Sequence, residues 1–142
     1  MNCEYFNKFD EASDLITEHI MRYKILYVDD ETSNLRIFKD SFRRDFDILT
    51  AESGPKALDI LKENKVDVVI TDQKMPDMTG VELLKAINTL FNDIPPNRLI
   101  LSGYTEDEEI KKAFKEYKLS KFISKPWDYN DLKQTITDCI NN

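Results

Sequence analysis

From Tyr23 onward, short apolar runs alternate with segments whose apolar positions recur every three or four residues. The runs are "YKILYV", "DILTA", "VDVVIT", "RLILS" and "KFIS", rich in Val and Ile and short enough to be strands covered on both faces. Between and after them, Leu35, Phe38 and Phe42 share one helical face. So do Ala57, Leu58 and Leu61, then Val81, Leu84 and Ile87, then Ile110, Ala113 and Phe114, and finally Leu132, Ile136 and Ile140. This alternation predicts a parallel sheet whose strands are joined by crossover helices.

Breakers mark the same boundaries independently. Gly54-Pro55 starts the second helix, "PDMTG" turns the chain into the third, and Pro95-Pro96 blocks helix continuation before the fourth strand. With right-handed crossovers, the pattern predicts an α/β, flavodoxin-like doubly wound sheet of five parallel strands in the order 2-1-3-4-5, with helices on both faces. Residues 1–22 stand outside the repeat. Phe9, Ala12, Ile16 and His19 share a helical face there, flanked by Leu15 and Ile20. The segment reads as an N-terminal helical extension that docks on the domain or pairs with another chain, or else as a frayed extension, with the domain proper at 23–142. His19 is the only histidine, so it reads as packing rather than as a metal ligand.

Composition narrows the function classes. A chain of 142 residues, 41% hydrophobic and 33% charged, supports one core and reads as a compact globule. A net charge of -7 opposes binding to a phosphate backbone, so no nucleic-acid partner is expected. Cys3 and Cys139 lie near opposite ends without metal-type spacing and read as free thiols in a reducing compartment. No apolar segment approaches the roughly 20 residues of a membrane span, and the acidic N-terminus lacks the form of a signal peptide. The expected address is cytoplasmic, without a membrane partner. With 3 glycines there is no G-x-G-x-x-G loop to admit a pyrophosphate, which argues against a flavin or dinucleotide binder.

In open α/β sheets, ligands bind beyond the carboxyl ends of the strands. There the first strand delivers Asp29 and Asp30, the third Asp72, the fourth Ser102 and the fifth Lys125, whereas the second, ending in "TAES", delivers nothing of this kind. Taken singly, Asp29 or Asp30 reads equally as a helix cap, Asp72 as a turn cap, Ser102 as a loop hydrogen bonder and Lys125 as a solvated charge. Together they have a different meaning. Converging carboxylates repel unless a cation joins them, and an all-oxygen set suits a hard divalent ion, Mg²⁺ or Mn²⁺. A metal and an ammonium to neutralise oxygens, a hydroxyl to orient one and a carboxylate able to act as nucleophile describe a phosphoryl pocket.

The ordered motifs "VDDE", "ITDQKMPDMTG", "ILSGYT" and "FISKPWD" resemble those of the receiver domains of two-component response regulators, the chemotaxis-regulator-like superfamily, over residues 23–140. The resemblance implies a signalling switch in a phosphorelay rather than an enzyme acting on an external substrate. It implies that Asp72 is the phosphoacceptor, modified by a histidine kinase or phosphotransfer protein. Asp30 would then bind the metal directly, Asp29 through water, with an oxygen from Asp72 and the backbone carbonyl of Lys74. Ser102 and Lys125 would contact the phosphoryl group, Ser102 and Phe122 would form the switch, and Pro126 would follow a cis peptide. Lys74 and Tyr104 would tune the acyl-phosphate lifetime. Phe122 reads equally well as a core aromatic, and Trp127 as packing beside the last helix.

Other readings compete. A receiver-like module that works through its surface alone would need no ion. An aspartate-nucleophile phosphatase commonly carries a general acid two residues after the nucleophile, where "DQK" has Lys74. The fourth helix, "EDEEIKKAFKEYK", is a face such domains use to form homodimers, or else a solvated face. "FISKPWD" is also similar to receivers that precede HD-type phosphodiesterase domains. The chain reads as a single-domain regulator or an excised receiver, its output unknown.

Overall fold

The computed structural model describes residues 22–91, 97–103 and 108–141. The expectations for residues 1–21, the Pro95-Pro96 breaker and Tyr104 fall outside the described residues. Within them, the chain runs β1 (Lys24–Val28), α1 (Thr32–Phe42), β2 (Asp47–Ala51), α2 (Gly54–Glu63), β3 (Val68–Thr71), α3 (Gly80–Leu90), β4 (Asn97–Ser102), α4 (Glu108–Glu116), β5 (Leu119–Ser124) and α5 (Tyr129–Asn141). The strands form one parallel sheet in the order β2-β1-β3-β4-β5, as the alternation predicts.

Local chemistry explains several boundaries. The Ser53 hydroxyl accepts a hydrogen bond from Lys56 N at 3.2 Å, and Pro55 occupies the first turn, so α2 begins where Gly54-Pro55 predicts. At α3, Thr79 and Glu82 form a reciprocal capping box: Glu82 N donates to the Thr79 hydroxyl at 3.1 Å and Thr79 N to the Glu82 carboxylate at 3.0 Å. These bonds hold the Glu82 carboxyl below its ordinary pKa.

β1 and β4 begin one residue away from the runs that predict them, and two strands differ by two residues. β3 starts at Val68 rather than Val66; just before it, Asp67 N donates to Lys24 O at 2.8 Å and the Asp67 carboxylate accepts from Lys24 N at 2.8 Å. β5 starts at Leu119 rather than Lys121. Lys118 adopts a left-handed conformation (φ 60°), and the register then slips between Arg98 and Leu99, which pair with Leu119 and Lys121 and leave Ser120 as the extra residue. The period-two signal breaks at that irregularity.

The sheet separates two apolar layers. Ile25, Tyr27, Val68, Ile70, Leu99 and Leu101 pack on one side with Phe38 and Phe42 of α1 and Leu132 and Ile136 of α5. Leu26, Val28, Val69 and Ile100 pack on the other with α2, α3 and α4. Phe114, grouped by spacing with Ile110 and Ala113, is 39% exposed and sits at the edge of α4's buried face. On the α1 and α5 side the Tyr27 ring stacks on Phe38 at 4.1 Å, and Trp127 meets Phe38 edge-on at 6.1 Å and Phe42 at 5.4 Å.

One buried residue fits poorly. Arg98, fully buried near the start of β4, donates through Nη1 to Tyr117 O at 3.0 Å and Asn88 Oδ1 at 3.3 Å, while Nε and Nη2 have no acceptor. Burial lowers its pKa. An unmet buried donor costs about 1–3 kcal/mol, and among the described residues no carboxylate pairs with this guanidinium. Arg98→Met is therefore expected to raise the urea midpoint of unfolding, and a lowered midpoint would contradict this account.

Candidate functional site

The sheet ladders continue one residue beyond the strands and fix the backbone of the acids and the lysine. Asp29 N donates to Ala51 O at 3.1 Å, Asp72 N to Val28 O at 2.9 Å and Lys125 N to Ser102 O at 2.8 Å. Residues from β1, β3, β4 and β5 thus meet at one edge. Asp29, Asp30 and Asp72 each bring one carboxylate oxygen to within 4.8 Å of the others. The Lys125 ammonium lies 3.2 Å from Asp29 Oδ2 and 3.4 Å from Asp72 Oδ1. The Lys125-Pro126 peptide is cis.

The three carboxylates differ in surroundings. Asp29 is fully buried, Asp30 is exposed, and the Asp72 side chain is 13% exposed. Burial raises the Asp72 carboxyl above its ordinary pKa, with Lys125 opposing the rise and Asp29 adding to it. For Lys125, burial favours the neutral amine, but Asp72 and Asp29 outweigh it and hold its pKa above the usual value. Three carboxylates facing one ammonium leave a surplus of two negative charges, which a divalent cation would neutralise.

Beyond the acids, a cleft of about 560 Å³ runs between the β3–α3 loop and α4. Asp30, Lys74 and Ser102 line one part of it, and Met75, Ile110 and Phe122 give it apolar walls. Ser102 is fully buried, whereas Phe122 is half-buried against the layer formed with α2, α3 and α4. Trp127 lies on the opposite side of the sheet, in the aromatic stack.

The sequence model of the response regulator receiver domain family matches residues 25–137. The chain belongs to that family. The receiver domain is 34% identical over 116 residues to the hydrogenase transcriptional regulatory protein HoxA of Bradyrhizobium diazoefficiens, covering 82% of this chain but only 24% of that protein. It is 34% identical to a chemotaxis protein CheY homolog of Campylobacter jejuni, covering 82% of this chain and 92% of that one. The signal receiver domain of an HD domain-containing protein from Pseudomonas fluorescens superposes with a TM-score of 0.78 at 27% identity, covering 84% of this chain and 95% of that one. No described helix of the receiver domain is long and apolar enough to cross a membrane.

Several residues absent from the sequence reading complete the site. Asp29 Oδ2 accepts hydrogen bonds from the Tyr27 hydroxyl at 2.8 Å and Asn34 Nδ2 at 3.2 Å, and Oδ1 accepts from Glu31 N at 3.0 Å. Burial and the nearby Asp29 push the Tyr27 phenol far above its ordinary pKa. The signal for Tyr27 was its place two residues before Asp29, on the same side of the strand. Gln73 accepts from Val81 N at 2.9 Å and donates to Glu109 at 3.2 Å, tying the loop after Asp72 to α3 and α4. Its neighbours come from other elements, so no local pattern announced it.

The backbone around Asp72 is crowded. A Cβ on Gly80 would sit 2.5 Å from the Asp72 carbonyl oxygen and 3.0 Å from Gln73 Oε1. Gly80→Ala is expected to cost about 1–3 kcal/mol of stability, measured by chemical denaturation, because backbone must move to admit the methyl. A neutral substitution would show that the loop yields freely. The raised Asp72 pKa carries a sign as well: the folded state keeps a proton that the unfolded chain has lost. Its stabilising contribution is complete below 3.8 and disappears as pH rises through the higher folded value. Without divalent ions, the stability of wild type relative to Asp72→Asn should fall as pH rises from 3.8, and a flat difference would contradict the shift.

Proposed function

We propose that this receiver domain is the phosphoacceptor of a two-component phosphorelay, with Asp72 taking a phosphoryl group from a histidine kinase or phosphotransfer protein. The observation that carries this reading is the Lys125 ammonium held between Asp29 and Asp72, beside a carboxylate triad that retains a negative surplus. The donor set is entirely oxygen and fits Mg²⁺ or Mn²⁺, held by Asp30 and Asp72 with the Lys74 carbonyl, and by Asp29 through water. When bound, the ion supplies positive charge to the phosphoryl oxygens and lowers the repulsion between nucleophile and donor.

The chain's own groups do the rest. An Asp72 carboxylate oxygen attacks phosphorus and forms the acyl-phosphate P–O bond as the P–N bond to the donor imidazole breaks. The imidazole leaves with the electron pair and is protonated. Lys125 neutralises one phosphoryl oxygen and Ser102 donates to another once its hydroxyl turns toward the site. Modification adds roughly -1.5 to -2 of charge. That charge biases Ser102, Phe122 and α4 between two arrangements, which changes association with a partner or with a second copy. Lys74 and Tyr104 tune the lifetime of the modified state. The chain spans about 24% of the length of HoxA.

Acetyl phosphate with Mg²⁺ is expected to add one phosphoryl group by intact mass to wild type and none to Asp72→Asn. Wild type that remains unmodified would overturn the proposal. In calorimetric titration, Asp30→Ala should weaken Mg²⁺ binding about tenfold or more, while Glu31→Ala leaves it nearly unchanged.

A further inference from the structure

Resting on the reading of the acids as a divalent-ion site, we propose that Tyr27 is a positioning residue that sets which cation the site accepts, favouring Mg²⁺ over Ca²⁺. Asp29 accepts four hydrogen bonds. Its Oδ1 accepts from Glu31 N at 3.0 Å, and its Oδ2 accepts from the Tyr27 hydroxyl at 2.8 Å, Asn34 Nδ2 at 3.2 Å and Lys125 Nζ at 3.2 Å. Each carboxylate oxygen offers about two lone-pair sites, so the three donors crowd Oδ2 fully while Oδ1 keeps one site open. Asp29 can therefore bind a cation through both oxygens only by surrendering donors on Oδ2.

The donors are not equally dispensable. Lys125 also faces Asp72, and Asn34 is only half-buried on the first turn of α1. Tyr27 is 1% exposed, its ring fixed against Phe38 at 4.1 Å and 15°. Phe38 is itself held by Phe42 at 4.8 Å and by the edge of Trp127. The hydroxyl therefore has one place to point, and it keeps Oδ2 occupied.

Withholding Asp29 affects the two ions differently. Mg²⁺ is octahedral and retains several waters, so Asp30, Asp72 and a main-chain carbonyl suffice, with Asp29 acting through a water. Ca²⁺ takes six to eight oxygens and favours carboxylates that bind directly, often through both oxygens. The occupied Oδ2 denies Ca²⁺ a bidentate Asp29 and so handicaps it more than Mg²⁺.

The test is calorimetric titration of Mg²⁺ and Ca²⁺ into wild type, Tyr27→Phe and Asn34→Ala, with near-ultraviolet circular dichroism to check the fold. Tyr27→Phe keeps the ring and its stacking and removes only the hydroxyl. The ratio of Ca²⁺ to Mg²⁺ affinity should rise about tenfold in Tyr27→Phe and less in Asn34→Ala. A general loosening of the site would lower both affinities without moving the ratio. An unchanged ratio in both folded variants overturns the proposal while phosphoryl uptake at Asp72 stands on its own measurement. Wild type that binds neither ion at millimolar concentration overturns the ion site and the proposal together.

Discussion

Repulsion among the carboxylates of Asp29, Asp30 and Asp72, whose oxygens lie within 4.8 Å of one another, governs how the surrounding chain is built. Two unit charges about 4 Å apart interact by about 4 kcal/mol at the effective dielectric of a protein surface. That is a large share of the roughly 5–15 kcal/mol by which a domain is stable. The fold answers with unequal treatment. Asp29 is buried and held by four donors, Asp30 is left to solvent, and Asp72 is kept between them, partly desolvated and facing Lys125. The least solvated acid has the most hydrogen bonds, and the one most open to water needs the fewest.

The sheet supplies the rigidity this arrangement requires. Each of Asp29, Asp72 and Lys125 is pinned by a backbone hydrogen bond that extends a ladder past the end of its strand. Below them the strands are buried on both faces, so the edge that carries the charges cannot slide without dislodging the core. Gly80 and Gln73 brace the remaining side, where α3 begins against the carbonyl of Asp72.

Features that repeat along the chain were readable in advance. Alternating strand and helix periods lead to the sheet order, and the placement of Asp29, Asp30, Asp72, Ser102 and Lys125 after apolar runs leads to the edge where they lie. What escaped depends on tertiary neighbours. Tyr27 reads locally as a strand aromatic, and only its hydrogen bond to Asp29 reveals another role. Gln73 reads as a loop residue until α3 and α4 close on it. Ser120, left over where the β4 and β5 register slips, breaks the alternation from which the start of β5 was drawn. Arg98 opens the run "RLILS" with no local sign of burial, yet it is completely buried.

The two sides of the sheet contribute different parts of the site. Two of the four donors that hold Asp29 come from Tyr27 and from Asn34 on α1, on the side of the sheet that contains the aromatic stack and α5. Phe122 packs into the opposite layer, with α2, α3 and α4, and Gln73 reaches toward that same side. Sequence change is therefore compartmentalised. Substitutions among α2, α3 and α4 can remodel the surface near Phe122 while Tyr27 and Asn34 stay in place, so the outward face and the acid cluster can change independently.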